Sequence, residues 1–395
     1  MFPRELLDLV LRWVHVTAGI MWIGNSLLFN WLDRNLKPAA RVREGSQGEI
    51  WLLHSGAFYE VEKTLTPGVQ LPRPLHWFKW QAYTTWLSGA ALLVVVYYYA
   101  GGALLALPSA DLSSAQALGI GIGTIAGGLL VYELLWRSPL ARSAALAALV
   151  SFMLLLAAAW ALGRAFTGRA AFLHIGAMLG TIMAANVKTK IVPAQRAQVG
   201  AVERGEMPQR QLSEQAKLRS IHNNYMTFPV IALMVSSHFP SLYGHESSWV
   251  VLGVLVLAGA AVRHILNIRF TWRPWVPGLA GTIAVSFAAL LLLATRDSAV
   301  RDPPVIVSGV VGSFEDVRAI VQQRCTVCHS AAPAIRTFGI TPGGVSFDRP
   351  DDIRRLADRI EARAVSTRTM PPANVTFMTD YERSVLAKWL RGPRH

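Results

Sequence analysis

Eight stretches of the chain stay apolar long enough to cross a hydrocarbon core of about 30 Å, a distance that takes about 20 helical residues. They run over 6–31, 77–100, 115–136, 140–163, 169–190, 221–239, 248–270 and 277–295. Only a few residues around Arg137, Ser138 and Pro139 separate the third from the fourth, which predicts a tight helical hairpin. The first stretch is too long for a cleavable signal, carries His15, Asn25 and Asn30, and has no small-x-small site after it. It reads as a retained helix. Beyond 295 the pattern changes. Residues 296–313 are rich in Pro, Gly and Ser and read as a linker; 314–395 read as a small polar domain. In that tail Phe314, Val317, Ile320 and Val321 share one helical face, which predicts a helix over 314–324. Further helices are expected near 351–364 and over 379–391, the last burying Tyr381, Val385, Leu386 and Trp389.

Composition agrees with this pattern. Hydrophobic residues make up 52% and charged residues 16% of the 395, and mean hydropathy is +0.35, so most of the surface must face lipid and a soluble enzyme is excluded. The net charge of +14 would suggest nucleic acid on a soluble chain, but its placement argues for topology. Seventeen Lys and Arg lie in the connections 32–76, 137–142, 188–219 and at Arg269 and Arg273, against three (Arg4, Arg164, Arg169) on the opposite side before the tail. The positive-inside rule puts the larger group in the cytoplasm, and both termini and the tail outside. The expected architecture is therefore all-α: a polytopic membrane bundle of eight helices over 1–295, followed by a small class I-like cytochrome c domain over 314–395. An echo between Tyr83-Thr84-Thr85-Trp86 and Tyr225-Met226-Thr227-Phe228, and between His15 and His174, suggests a 4+4 parallel repeat, with chance similarity of apolar helices as the other reading.

The tail's two cysteines stand in Cys325-Thr326-Val327-Cys328-His329, the spacing of covalent haem c attachment. Two thiols three residues apart can each form a thioether to one haem edge, and the adjacent imidazole of His329 meets the iron. A redox Cys-x-x-Cys pair or half a zinc site leaves the histidine unexplained, and no second cysteine pair exists. Of the two downstream methionines, Met370, stiffened by Pro371 and Pro372, is the expected sixth ligand over Met378. His395 is expected to be free. Haem c is attached outside the bacterial cytoplasm, where the charge count had already placed the tail.

Inside the bundle, ionisable residues are functional candidates by cost alone. His15, His174 and His238 fall in the outer half, while His76, His222 and His264 fall near the inner face with Asn223, Asn224, Arg263 and Asn267; His54 lies in the cytoplasmic loop. His15 with His174 is a candidate haem b pair, and a hydrogen bond to a neighbouring helix is the alternative for each. The outer haem c lies about 30 Å from the inner polar cluster, so a substrate oxidised near the cytoplasm requires a relay in the bundle.

The segments WVHVTAGIMWIGNSLLFNWLDRNL (13–36), IWLLHSGAFYEVEK (50–63), LHWFKWQAYTTWLSG (75–89), AFLHIGAMLGTIMAANV (171–187) and RSIHNNYMTFPV (219–230) resemble the membrane-bound, cytochrome c-type urate oxidases of bacteria, also called urate hydroxylases. The resemblance covers the whole chain. It departs at Gln81, where the family is expected to carry Glu, and at Lys188, where an apolar residue is more usual. It implies oxidation of urate to 5-hydroxyisourate in purine degradation, with electrons leaving through haem c to the respiratory chain (a soluble cytochrome c or terminal oxidase) and no hydrogen peroxide formed. It implies a multi-pass protein of the bacterial inner membrane with its N-terminus and cytochrome domain in the periplasm, in contact with lipid and not with nucleic acid. A planar anion such as urate suits Trp77 or Tyr225 for stacking, Arg219, Lys188 or Arg263 for charge, and Asn223 and Asn224 for its edge. His222, Glu60 or Glu62 would take the proton lost as water adds. Two further classes share this wiring: a quinol or other small-molecule oxidoreductase, and a non-enzymatic electron-transfer, haem or metal transport protein. Eight helices with several histidines exceed what a bare anchor needs.

Overall fold

The computed structural model describes residues 3–39, 45–64, 71, 73–99, 105–106, 110, 112–243, 245, 247–296, 312–334, 344–366, 368–374 and 376–392. The linker expected over 296–313 lies mostly outside these residues, as do most of 101–114, Arg41, Arg43 and His395.

Each of the eight apolar stretches is helical. They are α1 (Pro3–Asn35), α2 (Lys79–Leu93), α3 (Ser114–Leu135), α4 (Ala144–Ala165), α5 (Gly168–Asn186), α7 (Arg210–Ser236), α9 (Ser248–Ile268) and α10 (Trp275–Arg296), with α6 (Val192–Glu203) continuing α5 and the short α8 (Pro240–Tyr243) following α7. Among the described residues, six helical segments are long and apolar enough to cross a membrane: Leu6–Asn35, Ser114–Leu135, Ala144–Ala165, Gly168–Glu203, Ser248–Ile268 and Trp275–Leu293. The other two differ for visible reasons. After 15 residues α2 widens into a π-helical turn over Val94–Tyr98, and the first half of α7 carries Arg210, Glu214, Lys217 and Arg219. Helix starts follow their caps. The Ser113 hydroxyl and Gln116 form a capping box at α3, and Ser143 caps α4 just after the turn around Pro139.

One element departs from an all-α reading. The loop 32–76 contains an antiparallel hairpin of β1 (Ser46–His54) and β2 (Ala57–Thr64), in which Trp51 pairs with Glu60 and His54 with Ala57. The two-residue turn Ser55-Gly56 takes positive φ at both positions, the twist that suits a right-handed hairpin.

By packing, the chain forms two compact units. The first takes Met1–Val95, Ala177–Val230 and Leu257–Ile283; the second takes Val96–Gly176, Ile231–Val256 and Ala284–His395. In the first, α1 packs along α2, with Asn25 Nδ2 donating to Gln81 Oε1 at 2.7 Å. Ala82, Val187 and Val192 form a small apolar cluster with Trp22, Trp77 and Tyr83. In the second, α3 packs on α4, and the tail folds as α11 (Phe314–Arg324), α12 (Pro350–Arg355), α13 (Ala357–Ile360) and α14 (Asp380–Arg391). Val317, Ile320, Val321, Val385, Leu386 and Trp389 are buried together, as their spacing predicts. Also within this unit, α8 packs against the turn Pro372–Asn374 of the tail.

Candidate functional sites

The motif in the tail forms at the end of α11. A capping box between Ser313 and Asp316 starts that helix, and it closes at Cys325, whose N–H donates to the Val321 carbonyl at 2.8 Å. Cys328 and His329 then donate back to the Cys325 carbonyl at 3.1 and 2.8 Å, so five residues make one tight turn carrying both thiols. Both cysteines are free. Desolvation pushes both thiols up, Cys325 to about 12. His329 Nδ1 lies 3.1 Å from the Val345 carbonyl oxygen, which can only accept. The ring proton therefore sits on Nδ1, leaving the Nε2 lone pair for a metal, as a ligating histidine with an outer carbonyl partner is usually held.

The two methionines have different environments. Met378 is buried in the tail's core. Met370 is half-buried in the turn before α14, where Arg383 fixes its backbone: Nη1 donates to the Met370 carbonyl at 2.9 Å and to the Ala364 carbonyl, while Nη2 reaches Asn374 Oδ1 at 3.4 Å. Arg324 binds Glu382 and the Thr376 carbonyl, tying the same segment to α11. Two free thiols on one turn, a histidine whose Nε2 lone pair is not taken up by the Nδ1 bond, and a methionine outside the core are a donor set that fits haem c.

In the first unit a polar cluster joins three helices, α1, α7 and α9. Gly259, Arg263 and Asn267 are spaced by four on α9 and so share a face; Asn224 and Phe228 do the same on α7. The faces meet closely. A Cβ on Gly259 would lie 2.7 Å from the Pro229 nitrogen, so only glycine lets α9 approach α7 there. Asn224 Oδ1 accepts from Arg263 Nε at 2.9 Å and from Asn267 Nδ2 at 2.7 Å. Arg263 Nη2 donates to Ser26 Oγ of α1 at 3.2 Å, and its guanidinium carbon lies 5.4 Å from the Phe228 ring centroid. Arg263 is 0% exposed and its Nη1 has no hydrogen-bond partner. Nearby, the Tyr225 hydroxyl and His264 Nδ1 are 2.7 Å apart.

The adjacent asparagines do different things. Asn223 is held by α5: its Nδ2 donates to the Met183 carbonyl at 3.0 Å and its Oδ1 accepts from Asn186 at 2.9 Å. Arg219 is buried and His222 half-buried, three residues apart on α7. Lys188 is exposed, and Glu60 is exposed on β2. Trp77 belongs to the apolar cluster around Val187. Ser26 escaped the sequence reading, although a hydroxyl beside Asn25 in an otherwise apolar helix was its signal.

The two histidines proposed as a haem b pair have separate partners. His15 Nδ1 donates to the Thr85 carbonyl at 2.9 Å, with Ser88 Oγ at 3.2 Å. His174 is wholly buried, ringed by Tyr97, Tyr98 and Phe166. Its Nδ1 donates to the Ala170 carbonyl at 2.8 Å, so its Nε2 accepts from the Tyr98 hydroxyl at 2.8 Å. A Cβ on Gly121 would lie 2.9 Å from that Nε2. A haem iron at His174 would have to displace Tyr98 and open this packing. As arranged, the surroundings of His174 do not fit haem b.

Residues 2–294 match the family model described as the urate oxidase N-terminal domain. No curated protein and no solved structure matches the chain.

Proposed function

The chain belongs to the urate oxidase N-terminal family, and from that premise we propose that it oxidises urate to 5-hydroxyisourate in the membrane bundle and passes the electrons to a haem c on its own tail. One observation carries this reading. A urate oxidase region over 2–294 is joined, in one chain, to a Cys-x-x-Cys-His turn with free thiols and an available His329 Nε2. Cys325 and Cys328 would hold the haem covalently and His329 and Met370 would bind its iron; the group would accept electrons one at a time.

The reaction is written as urate plus water giving 5-hydroxyisourate, two protons and two electrons. A C–O bond forms at the purine carbon that water attacks; that water gives up one proton and keeps the other as the new hydroxyl, and the second proton leaves from a ring N–H of urate. His222 on α7 is our candidate to accept the first, with Glu60 as the alternative. Arg219 and Asn224 bind and orient the substrate, while Asn223 holds α7 against α5. The electrons leave to a respiratory-chain acceptor, a soluble cytochrome c or a terminal oxidase, and peroxide is not formed. A substrate oxidised near the inner face requires a relay across the bundle; His174 as packed does not supply one, and a haemochrome count reports any b-type haem held elsewhere. The packing of α8 against Pro372–Asn374 supports a tail on the same membrane side as the 240–247 connection, the periplasmic side of the inner membrane by the charge count.

The test is anaerobic. Urate is added to purified, oxidised protein and the haem absorbance followed, while a pyridine haemochrome counts c-type and b-type haem. Reduction by urate, without peroxide when oxygen returns, is the expected result. Reduction by quinol and not by urate would replace this reading with a quinol oxidoreductase.

A further inference from the structure

Arg263 sits in a place that its chemistry does not explain. It is five residues from the end of α9, about 7.5 Å along the axis, so an arginine side chain there could snorkel to the membrane surface. It turns inward instead and is 0% exposed. A buried guanidinium is normally held by a carboxylate, because neutral partners leave its charge uncompensated. Here the partners are an amide oxygen, a hydroxyl and an aromatic face: Asn224, Ser26 and Phe228. The third nitrogen, Nη1, is buried and bonds to nothing.

The neutral neighbours are themselves half used. Asn224 Oδ1 takes two donors, from Arg263 and Asn267, which leaves its Nδ2 without a described acceptor. Asn267 donates through Nδ2, which leaves its Oδ1 without a described donor. Three helices thus converge on one positive donor, one neutral donor and one acceptor. A carboxylate or a fully ionised phosphate would use the donors and leave Asn267 Oδ1 unmet. A planar heterocyclic anion, with carbonyl and N–H groups alternating along its edge, uses all three.

We propose that Arg263 is the anion anchor of the substrate site: Nη1 pairs with the charge of a purine-type planar monoanion, whose edge is read by Asn224 and Asn267. Of the other two candidate cations, Lys188 is exposed, and Arg219 is buried on α7 five residues before Asn224, more than a helical turn away. The role is binding and orientation, so its loss falls on KM. This inference rests on the urate reading above and sharpens it to particular side chains.

The test compares wild type with Arg263→Gln, Arg263→Lys and Arg263→Ala as full-length protein in detergent. Urate oxidation is measured with an artificial one-electron acceptor, and thermal unfolding reports folding. Arg263→Gln is expected to raise the KM for urate by about tenfold or more, the scale of one charge-assisted hydrogen bond to a buried anion, with kcat within about twofold. Added methylguanidinium is expected to restore part of the activity of Arg263→Ala and to leave wild type unchanged. A folded Arg263→Gln with unchanged KM, or with a loss confined to kcat, overturns the anchor. Should Gln and Ala fail to fold, Arg263→Lys decides: the point charge cannot reproduce the fork, so a raised KM supports the proposal and an unchanged one rejects it. A wild type without urate activity removes the urate reading itself, an outcome distinct from all of these.

Discussion

Arg383 Nη1 donates to the Met370 carbonyl oxygen at 2.9 Å, tying the last helix to the residue nominated as the sixth haem ligand. The same side chain reaches the Ala364 carbonyl and Asn374 Oδ1, so one buried guanidinium sets the course of the chain on both sides of Met370. Arg383→Met keeps the bulk and leaves three oxygens unpaired, at a cost of about 2–3 kcal/mol. With its support gone, the methionine would be replaced easily. The expected result is that reduced haem c binds carbon monoxide in the variant and not in wild type, and that the variant's midpoint potential is the lower. An unaltered potential with no carbon monoxide binding would show that Met370 does not depend on Arg383.

The asparagine pair offers a sharper contrast. Asn223 spends both polar ends on Met183 and Asn186 of α5, whereas Asn224 orients Arg263 and Asn267 of α9. Asn223→Ala is expected to lower stability by about 1 kcal/mol, the scale of an interhelical hydrogen bond in lipid, with the KM for urate within about twofold of wild type. Asn224→Ala is expected to raise KM by about tenfold, because it loosens the guanidinium as well as the edge contact. Steady-state kinetics and thermal melts on both variants check the split. Equal effects from the two would show that neither asparagine faces the substrate.

That split also shows what the sequence reveals and what it hides. Neighbours on a helix point about 100° apart, so Asn223 and Asn224 must serve different partners, but nothing in one chain says which. The helices themselves were legible, because apolar runs in the bundle and 3.6-residue spacing in the tail state them directly. So was the Cys-x-x-Cys-His turn at Cys325, being a local motif. The hairpin 46–64 was not, because apolar residues occupy both its faces: Trp51, Leu53 and Phe58 on one, Ile50, Leu52, Tyr59 and Val61 on the other. Without alternation a strand has no period to read; the Ser55-Gly56 turn between two apolar runs was the usable signal. His174 looked like a ligand because a buried histidine in a membrane helix is costly. Its satisfaction by Tyr98 and Ala170 depends on packing across 76 residues in one case and one helical turn in the other.

Gly259 controls how near α9 comes to α7, and hence the geometry of Asn224, Arg263 and Asn267. A Cβ at this position would meet the Pro229 nitrogen at 2.7 Å and the Phe228 carbonyl carbon at 2.9 Å, which is backbone and cannot swing aside. Gly259→Val is expected to separate the helices, costing about 1–3 kcal/mol, and to lower kcat/KM for urate by about tenfold or more. Haem c should remain attached with its spectrum unchanged, since the tail packs as part of the other unit. A fully active Gly259→Val would mean that the helices tolerate a wider crossing.

Asp348 holds the segment that follows His329. Its Oδ2 accepts from the Ala331 N–H at 2.8 Å and from the Ser346 hydroxyl at 2.8 Å. The Ser330 hydroxyl, followed by these two donors, holds the Asp348 carboxyl below its ordinary value. A carboxyl depressed in the folded state contributes stability above its unfolded value of about 3.9, and loses it as the pH falls through the folded value. Asp348→Asn removes the ionised acceptor at every pH. The tail of the variant is therefore expected to unfold more easily than wild type at pH 7, as followed by haem c absorbance in urea. The gap should begin to narrow below about pH 4 and close once wild-type Asp348 is itself protonated. A gap that stays constant down to acid pH would place the effect in the shape of the side chain and not in its charge.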